Sequence, residues 1–343
     1  MSVITIIGAG MMGSAMAYPA CENGNEVRLV GTHLDDAVIA QAMQTGIHPT
    51  LNRLMPRGVQ YYQIADVEKA LHGASLVIGG VSSFGVDWFA DRMLPLIPRN
   101  VPLLSITKGL ASTPEGGLIS YPALYAESAG GAGLSLNAVG GPCTSYELVD
   151  RDPTEVCFCG ADIATLRKIK AMLETDYYHI SLSTDVFGVE CAVALKNAYA
   201  LGVTLAVGLS EKKDGKVHYN SQAALFGQSI REMRHILSLY GGRDENIYLG
   251  AGDLYVTVFG GRTRLIGTLL GKGYSIDAAM AELKGITLES LVIAKRTATA
   301  LIALSECGKA DKADFPLLLH ISAVLSGNET VNIPWRAFET EMI

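Results

Sequence analysis

The sequence of 343 residues predicts an α/β domain with a mostly parallel sheet over residues 1–185, followed by an all-α domain over residues 186–343. Two observations support this prediction. In the first part, short runs rich in Val, Ile and Leu alternate with amphipathic stretches, which is typical of parallel strands buried on both faces. From about residue 186 to about residue 325, helical periodicity continues without a convincing strand.

The individual elements follow from these patterns. The predicted strands are Val3–Ile7, Val27–Leu29, Leu76–Ile78, Pro102–Ser105, Asn137–Val139 and Thr154–Phe158. The predicted helices of the first domain include Asp66–Leu71, Trp88–Leu96 and Ile163–Leu173, and those of the second include Gly188–Leu209, Ala223–Leu239, Ser275–Leu283 and Leu288–Leu304. Thr184 or Asp185 is expected to cap the first helix of the second domain. The charged stretch Glu211–Val217 is expected to be a solvated loop.

Composition limits the class of function. A hydrophobic fraction of 49% with 18% charged residues excludes a disordered chain. The net charge of −7 argues against nucleic-acid binding, so an anionic ligand must be bound by local cations and backbone amides. The six cysteines contain no CxxC pair, and we expect neither a metal nor a disulfide. The N-terminus has no basic leader, which predicts a cytoplasmic protein.

The most apolar long window, Ala192–Leu209, contains Lys196 and Asn197 together with many small residues. This composition predicts a helix in the protein core and no membrane insertion, since an ammonium group is costly in the centre of a bilayer. A homodimer is the expected assembly, because the helical domain has many apolar faces.

A glycine-rich turn follows the first predicted strand. The segment GAGMMG, which begins at Gly8, fits the pattern GxGxxG and opens a helix. Gly8 permits the tight turn, Gly10 lets the backbone approach a pyrophosphate, and Gly13 allows close packing of helix and strand. The amides at the helix start, at Met11 and Met12, can donate to phosphate oxygens. The pattern predicts a Rossmann-type dinucleotide-binding domain.

The end of the second strand bears on the choice between NAD and NADP. An NAD-specific site usually carries Asp or Glu there, whereas residues 31–33 read GTH, and Asp35 and Asp36 are expected to cap the next helix. Without a carboxylate, nothing repels a 2′-phosphate, for which Arg28 and His33 are candidate partners. The sequence therefore favours a site that accepts NADP, beside or instead of NAD. Arg28 can also be an ordinary strand residue.

Two lysines stand where chemistry is expected. Lys108 follows a buried strand, at the sheet edge where ligands bind in open α/β sheets, and the segment Gly140-Gly141-Pro142 ends another strand in the same way. Lys196 lies in an almost entirely apolar helix, where a charge is costly unless it is paired or functional. Burial and a second cation would lower its pKa and suit it to proton transfer. Glu190 is one candidate partner, and snorkelling to the helix edge is the alternative.

A further polar segment begins at Gly250. Asp253 follows two glycines, so it is either a functional carboxylate or a helix cap in a glycine turn. Arg262 follows Gly260-Gly261 and precedes a predicted helix, which would combine a guanidinium with amide donors for a phosphate. Of Arg262 and Arg264, one is expected to be solvated.

These segments together resemble the NAD(P)-dependent glycerol-3-phosphate dehydrogenase family over nearly the whole chain, and the archaeal members most. The resembling segments are GAGMMGSA at 8–15, TKG around Lys108, GGP at 140–142, ALKNAYA around Lys196, GAGDL at 250–254, GGRTR at 260–264, TLES at 287–290 and LLGKG at 269–273.

The resemblance implies an N-terminal Rossmann domain, a C-terminal domain like that of 6-phosphogluconate dehydrogenase, and reduction of dihydroxyacetone phosphate at C2 with NADH or NADPH. It implies that Lys196 is the general acid and base, that Lys108 holds and polarises the substrate, and that Asp253 tunes Lys196. It further implies a phosphate site and a cofactor site. The phosphate site comprises Arg262, Thr257, Asn197 and Thr263, and the cofactor site comprises Gly8, Gly10, Met11, Met12, Gly13, His33, Lys108, Arg262 and Glu289.

Three positions depart from the family pattern. Thr263 stands where the family has Asn after the phosphate-binding Arg, residues 81–83 read VSS where many members have VPS, and Ser290 replaces a usual glycine. The change at Thr263 leaves open another small ketose phosphate or acidic hydroxyketone as substrate. A nucleotide-binding module without catalysis is a further alternative, although it would not need to keep Lys108, Lys196 and Asp253.

Overall fold

The computed structural model describes residues 1–341. Its contacts divide the chain into two compact units, the first comprising residues 1–108 and 120–190 and the second residues 109–119 and 191–343. The division predicted at residue 185 places segment 109–119 in the first domain, whereas its contacts lie with the second unit. One of these contacts is a hydrogen bond from the guanidinium of Arg296 to the carbonyl of Leu110.

Within residues 1–341 the chain forms twelve strands. They are β1 (Val3–Ile7), β2 (Glu26–Val30), β3 (Ile47–His48), β4 (Arg53–Leu54), β5 (Gln60–Tyr62), β6 (Leu76–Gly79), β7 (Leu103–Ser105), β8 (Leu110–Ser112), β9 (Leu118–Ser120), β10 (Leu136–Gly140), β11 (Thr154–Gly160) and β12 (Tyr178–Ser183). Eight of them form one sheet in the order β12-β11-β10-β7-β6-β1-β2-β5. Every pair in it is parallel except β10 with β11. The mostly parallel sheet is confirmed.

The sheet order has a topological switch beside β1. The chain runs from β1 outward to β2 and β5, then returns to β6 on the other side and continues to β7 and β10. Ligands of open α/β sheets bind at the carboxyl ends of the strands where the order reverses. The switch therefore places the binding edge at the ends of β1 and β6, which are residues 8 and 80 onward.

All six predicted strands are present, but two further strands of the main sheet, β5 and β12, were not predicted. Both lie at edges of the sheet, and several of their residues are exposed or half-buried. An edge strand lacks the continuous apolar run that marks a central parallel strand. The pairs β3–β4 and β8–β9 are short hairpin strands outside the main sheet.

The helices of the first unit are short. They are α1 (Met11–Ala15), α2 (Ala17–Glu22), α3 (Asp36–Thr45), α4 (Val67–Leu71), α5 (Val86–Arg92), α6 (Tyr121–Glu127), α7 (Ser145–Val149) and α8 (Ile163–Leu173). Pro19 explains the break between α1 and α2, because its ring lacks an N–H and crowds the carbonyl of Ala15, four residues before it.

The remaining helices lie from residue 186 onward. They are α9 (Val186–Asp214), α10 (Tyr219–Leu239), α11 (Ile247–Phe259), α12 (Gly261–Gly271), α13 (Ile276–Glu282), α14 (Glu289–Glu306) and α15 (Pro316–Leu325). Single 3₁₀ turns occur at Ile64–Asp66, Ser83–Gly85, Leu94–Leu96, Asp244–Asn246, Lys312–Asp314 and Trp335–Phe338. Between residues 186 and 341 the structure has no strand, so the all-α prediction is confirmed.

Helix α9 is the core of the second unit. Asp185 Oδ1 accepts a hydrogen bond from Gly188 N at 2.9 Å, which confirms the predicted cap. By length and composition α9 could span a membrane, but 83% of its most apolar window is buried inside the protein. Its apolar surface is therefore satisfied by packing, as in the core helix of a globular domain.

The prediction of a loop at Glu211–Val217 is wrong as far as Asp214, because α9 continues to that residue. Lys212 and Lys213 lie in its last turn, where positive charge favours the carboxyl end of a helix dipole. Gly215 then adopts a φ of +72°, the left-handed conformation that commonly ends a helix. The charged side chains of Glu211–Val217 indicate solvent exposure, but they do not indicate where the helix ends.

Glu232 on α10 is a buried carboxylate with a full set of partners. Its Oε1 accepts from Gln228 Nε2 and Leu317 N, both at 2.8 Å. Its Oε2 accepts from Tyr199 Oη and Leu318 N, both at 3.0 Å. The backbone donors belong to the first turn of α15, so Glu232 joins three helices. Burial nevertheless raises the pKa of Glu232 to about 7.

We predict that Glu232→Gln destabilises the protein. At pH 8 the wild-type carboxylate accepts from four donors, whereas the amide NH₂ of glutamine must face donors itself. The free energy of unfolding from urea titration should fall by about 1–3 kcal/mol. The exposed carboxylate of Glu306 provides the control, since Glu306→Gln should leave stability unchanged. Equal stabilities of the two variants would contradict the capping role.

Candidate functional site

The glycine-rich turn after β1 is closed by direct backbone contacts. Gly8 has a φ of +114°, and a Cβ on it would lie 2.5 Å from the carbonyl oxygen of Gly80. A Cβ on Gly13 would lie 2.0 Å from the carbonyl oxygen of Gly8. By contrast, a Cβ on Gly10 would meet no atom within 4 Å. Gly8 and Gly13 are thus packed against neighbouring backbone atoms, whereas Gly10 is open, so a ligand can approach the backbone there.

A cleft of about 190 Å³ lies over this turn at the carboxyl ends of β1 and β6. It is lined by Gly8, Gly10, Thr32, His33, Leu34, Asp35, Gly80, Val81, Ser82, Gly85 and Trp88. Helix α1 begins at Met11, so the amides of Met11 and Met12 belong to its first turn and have no partner within the helix. A glycine cradle, first-turn amides and the switch-point location together fit a dinucleotide.

The far end of the cleft holds His33, whose ring centroid lies 5.1 Å from that of Trp88. The nearby carboxylate of Asp35 is turned back into the protein. Its Oδ2 accepts from Ala9 N at 3.1 Å and from the amide and hydroxyl of Thr32 at 2.8 Å. Three donors compensate this negative charge, so it opposes a 2′-phosphate less than a carboxylate aimed at the ribose would.

Arg28, proposed from the sequence as a partner for a 2′-phosphate, does not line this cleft. Its guanidinium forms an ion pair with Glu26 at 2.7 Å and donates to the carbonyls of Ala70 and His72 at 3.1 and 2.6 Å. The prediction is wrong because Arg28 is fully engaged in joining β2 to the end of α4. His33 remains the candidate.

Lys108 is fixed at the end of β7. Its ammonium donates to the carbonyl of Gly141 at 2.6 Å, just after the neighbouring strand β10. Gly141 has a φ of +122°, which disfavours any residue with a Cβ. Thr107 beside Lys108 donates through its hydroxyl to the carbonyl of Val81 at 2.7 Å. The left-handed conformation of Gly141 therefore presents the carbonyl that holds Lys108 at this edge of the sheet.

Glu190, near the start of α9, is completely buried, and neither of its carboxylate oxygens has a hydrogen-bonding partner within residues 1–341. Burial raises the pKa of Glu190 well above its usual 4.5, and the positive charge of Lys108 opposes that rise only in part. A buried carboxyl that accepts no hydrogen bond resists ionisation. The interpretation of Glu190 as the counter-ion of Lys196 is therefore wrong.

The partner of Lys196 is Asp253. Its ammonium lies 2.5 Å from Asp253 Oδ1, and the side chains are 14% and 3% exposed. Lys196 lies within α9 and Asp253 in the middle of α11, so the alternative of a helix cap in a glycine turn is wrong for Asp253. The counter-charge stabilises the ammonium form, in contrast to the second cation that we expected to destabilise it.

Gly250 explains why the two helices come close enough for this ion pair. A Cβ on Gly250 would lie 2.5 Å from the carbonyl oxygen of Ala192. Ala192 is one turn before Lys196 on α9, and Gly250 is about one turn before Asp253 on α11. The missing side chain therefore lets α11 approach α9 where the charges must meet.

The remaining substrate-site candidates lie on α9, α11 and α12. Asn197 is half-buried beside Lys196, and Thr257 donates through its hydroxyl to the carbonyl of Asp253 at 2.7 Å. Arg262 is exposed in the first turn of α12, whereas Thr263 is buried. Arg264 donates to the carbonyl of Val258 at 2.7 Å and so caps the end of α11. Of the two arginines, Arg262 is therefore the one presented to solvent.

Glu289 is the first residue of α14 and is half-buried, in a place where a carboxylate suits the helix dipole. Ser290, which replaces a usual family glycine, is buried, and its hydroxyl has no hydrogen-bonding partner within the described residues. The described part of the chain has no group of three His, Cys, Asp or Glu side chains placed to hold a metal ion.

Comparison with known families agrees with this geometry. Residues 3–165 match the model of the NAD-dependent glycerol-3-phosphate dehydrogenase N-terminus, and residues 185–335 match that of its C-terminus. The chain belongs to the NAD-dependent glycerol-3-phosphate dehydrogenase family. The Rossmann-type and helical domains expected from the resemblance are thereby confirmed.

Individual relatives are similar over most of their length. The NADP(+)-dependent glycerol-3-phosphate dehydrogenase of Archaeoglobus fulgidus is 33% identical over 82% of this chain and 84% of its own. The glycerol-3-phosphate dehydrogenase (NAD(P)+) of Desulfotalea psychrophila is 29% identical, with 82% of each chain covered. The crystal structure of glycerol-3-phosphate dehydrogenase from Coxiella burnetii has the same fold, with a TM-score of 0.80, 24% identity, and 98% and 97% of the two chains covered.

Two features of the cleft over the glycine-rich turn were not predicted from the sequence. Trp88 packs beside His33, but a tryptophan within an amphipathic helix carries no signal of a binding role. The sequence predicts that Asp35 caps the next helix, but its carboxylate makes no capping hydrogen bond to α3. It accepts instead from Ala9 N and from the hydroxyl of Thr32, and so joins the glycine-rich turn to the end of β2. The short interval between residues 32 and 35 was a signal that could have suggested this turn.

We predict that Glu190→Gln stabilises the protein increasingly as the pH rises. Because the folded-state pKa is raised, unfolded Glu190 ionises above pH 4.5 whereas the folded residue ionises only at a higher pH, so wild-type stability is lost as pH rises. Glutamine removes that loss. The difference between Glu190→Gln and wild type should therefore grow above pH 4.5 by up to about 1.4 kcal/mol per pH unit, measured by urea unfolding between pH 5 and pH 8.

The exposed Glu127 supplies the matched control in the same unit, and Glu127→Gln should show no such trend. A stability difference for Glu190→Gln that stays constant with pH would show that Glu190 ionises normally in the folded protein.

Proposed function

We propose that this chain catalyses the reversible reduction of dihydroxyacetone phosphate at C2 to sn-glycerol 3-phosphate, with NADH or NADPH. The observation that carries the proposal is the ion pair of Lys196 and Asp253 at 2.5 Å, which places an ammonium group beside a carboxylate in the core of the helical unit. The reaction also requires a site for the nicotinamide cofactor, for which we propose the cleft over the glycine-rich turn of the first unit. The family and the names of its relatives support the substrate.

The proposed proton transfer uses Lys196. When bound, the reduced nicotinamide supplies the hydride that bonds to C2. As the carbonyl π bond breaks, negative charge develops on the substrate oxygen, and Lys196 transfers one ammonium proton to it. The product hydroxyl keeps that proton, and the neutral amine regains one from solvent. In the reverse direction the amine removes the hydroxyl proton.

Asp253 resets this acid. After the transfer, its carboxylate is left beside a neutral amine in a buried site, which favours reprotonation of Lys196. Lys108 is proposed to act on the same substrate oxygen through its positive charge, because a preorganised cation stabilises charge that develops in the transition state. The carbonyl of Gly141 fixes the direction of the Lys108 ammonium beforehand.

The substrate phosphate is assigned to Arg262 and the first-turn amides of α12. Gly260 at the N-cap has no side chain to occupy those amides, and Arg262 is exposed beside them. Thr257 and Asn197 are proposed to assist. Arg262 and Glu289 are also proposed to contact the cofactor, together with Gly8, Gly10, Met11, Met12, Gly13, His33 and Lys108.

The threonine at position 263, where the family has asparagine, favours an alternative substrate. Thr263 is only 7% exposed, and its hydroxyl is too short to span the distance that an asparagine amide would. The same chemistry on another small ketose phosphate is therefore the alternative. Activity on such a ketose that exceeds activity on dihydroxyacetone phosphate would establish it.

We also propose that the protein is a cytoplasmic homodimer. Three aromatic residues on one face of α11, Tyr248, Tyr255 and Phe259, are 49%, 59% and 59% exposed. A contiguous exposed aromatic face is typical of a protein contact. The elution volume in gel filtration tests this assembly.

The predicted activity is measured by nicotinamide absorbance after mixing the protein with dihydroxyacetone phosphate and NADH or NADPH. Turnover with NADPH is expected because no carboxylate is aimed at the ribose. Lys196→Met should lower kcat by about 10²–10⁴-fold, since it removes the proton donor, and should leave the Kd for the cofactor unchanged.

Lys284→Met, at an exposed position, is the control and should behave like wild type. Absence of turnover with both cofactors would contradict the function, and strict use of NADH would contradict the ribose assignment. A Lys196→Met rate within a few-fold of wild type would overturn only the acid–base role.

A further inference from the structure

The peptide of Ala9, in the middle of the glycine-rich turn, is held on both sides by side chains from outside the turn. Its N–H donates to Asp35 Oδ2 at 3.1 Å, and its carbonyl accepts from His48 Nε2 at 2.9 Å. Ser14 also donates to this carbonyl, at 3.3 Å. Ala9 lies between Gly8 and Gly10, and nothing in the GxGxxG pattern itself provides these contacts. The conformation of the turn therefore depends on residues elsewhere in the chain.

His48 has a defined tautomer. Its Nδ1 accepts from the amides of Thr50 and Leu51 at 3.2 and 3.1 Å, so this nitrogen carries no proton. A neutral imidazole then has its proton on Nε2, which donates to the carbonyl of Ala9. The residue is 1% exposed, and water does not compete for these bonds. One ring thus links its own hairpin through Nδ1 and the cofactor turn through Nε2.

The hairpin that carries His48 is anchored independently of this ring. Strands β3 and β4 pair His48 with Arg53, and Met55 N donates to the carbonyl of Gly46 at 2.8 Å. Leu51 is completely buried, and Tyr18 on α2 donates through its hydroxyl to the carbonyl of Leu54 at 2.8 Å. These contacts hold the hairpin against the first unit, so it can act as a fixed support from which His48 reaches the turn.

The position of the Ala9 carbonyl matters for the ligand because Gly10 and the first residues of α1 follow directly. Gly10 is open to the cleft, and the amides of Met11 and Met12 come next. A pyrophosphate bound there needs these donors in a fixed arrangement, and a turn that can shift loses part of the binding free energy to ordering. Holding the Ala9 peptide at both ends removes that freedom before the ligand arrives.

We propose that His48 is a positioning residue for the dinucleotide: through the Ala9 carbonyl it holds the glycine-rich turn in the shape that binds the pyrophosphate. This inference rests on the proposed function only in taking the ligand to be NAD or NADP. His48 does not line the cleft, so its effect is transmitted through the backbone of Ala9.

A pair of substitutions at His48 separates the hydrogen bond made by Nε2 from those made by Nδ1. Glutamine has an amide nitrogen at its ε position, as histidine does, so His48→Gln can still donate to Ala9 but loses the Nδ1 acceptor. Asparagine has an oxygen at its δ position, so His48→Asn can still accept from Thr50 and Leu51 but does not reach Ala9. If His48 served only the hairpin, the Asn variant would bind the dinucleotide better than the Gln variant. If His48 holds the glycine-rich turn, the Gln variant would bind it better.

The test measures Kd by direct titration, without turnover, for NADPH, for ADP-ribose and for adenosine 2′-phosphate. We expect His48→Asn to raise the Kd for NADPH and ADP-ribose about 10-fold, the effect of about one hydrogen bond. His48→Gln should stay within about three-fold of wild type. Adenosine 2′-phosphate lacks the pyrophosphate, so its Kd should change in neither variant.

Equal losses in the two variants, a larger loss in His48→Gln, or an equal loss for adenosine 2′-phosphate would overturn the proposal. Should His48→Asn not fold, Tyr18→Phe takes its place, because it releases the hairpin from α2 while leaving His48 intact. It should raise the Kd for ADP-ribose and leave that for adenosine 2′-phosphate unchanged, and no rise would count against the proposal. Absence of turnover with dihydroxyacetone phosphate would affect the proposed function alone.

Discussion

The ion pair between Lys196 and Asp253 is the interaction on which the helical unit and its chemistry depend. Helix α9 is almost entirely apolar around Lys196, and an ammonium buried there without a counter-charge would be strongly destabilising. Asp253 supplies that charge from α11, and Gly250 permits the approach because a side chain at that position would overlap the backbone of Ala192. The same packing places the ammonium beside a carboxylate, an arrangement that favours the protonated form of a lysine.

The first unit is governed by a different constraint, the close approach of backbone segments. Gly8, Gly13 and Gly80 meet at distances that exclude a Cβ, and the cleft opens at Gly10 where no atom is near. The residues that line this cleft include neither Lys nor Arg, so the donors it offers to an anion are chiefly backbone amides. This agrees with the net charge of −7, which excludes a broadly basic surface but not a local site for phosphate.

Local patterns allowed much of this to be predicted from the sequence. The central strands, the glycine-rich turn, and Lys196 within a long helix all depend on residues close together in the chain. Contacts between distant residues were not predictable in the same way. Asp253 is 57 residues from Lys196, and its position within a glycine-containing segment suggested a turn, although packing against α9 keeps it helical. Arg28 and His48 likewise depend on partners 39 to 44 residues away, and the edge strands β5 and β12 lack an apolar signature.

The role of Asp253 beside Lys196 is tested most directly by the pH dependence of kcat/KM for ketone reduction in Asp253→Asn. Asparagine keeps the size of the side chain but removes the negative charge that stabilises the Lys196 ammonium. We expect this variant to lose activity at a lower pH than wild type on the alkaline side, while its Kd for NADPH stays the same. An alkaline limb at the same pH in both proteins would contradict the claim that Asp253 keeps Lys196 protonated for catalysis.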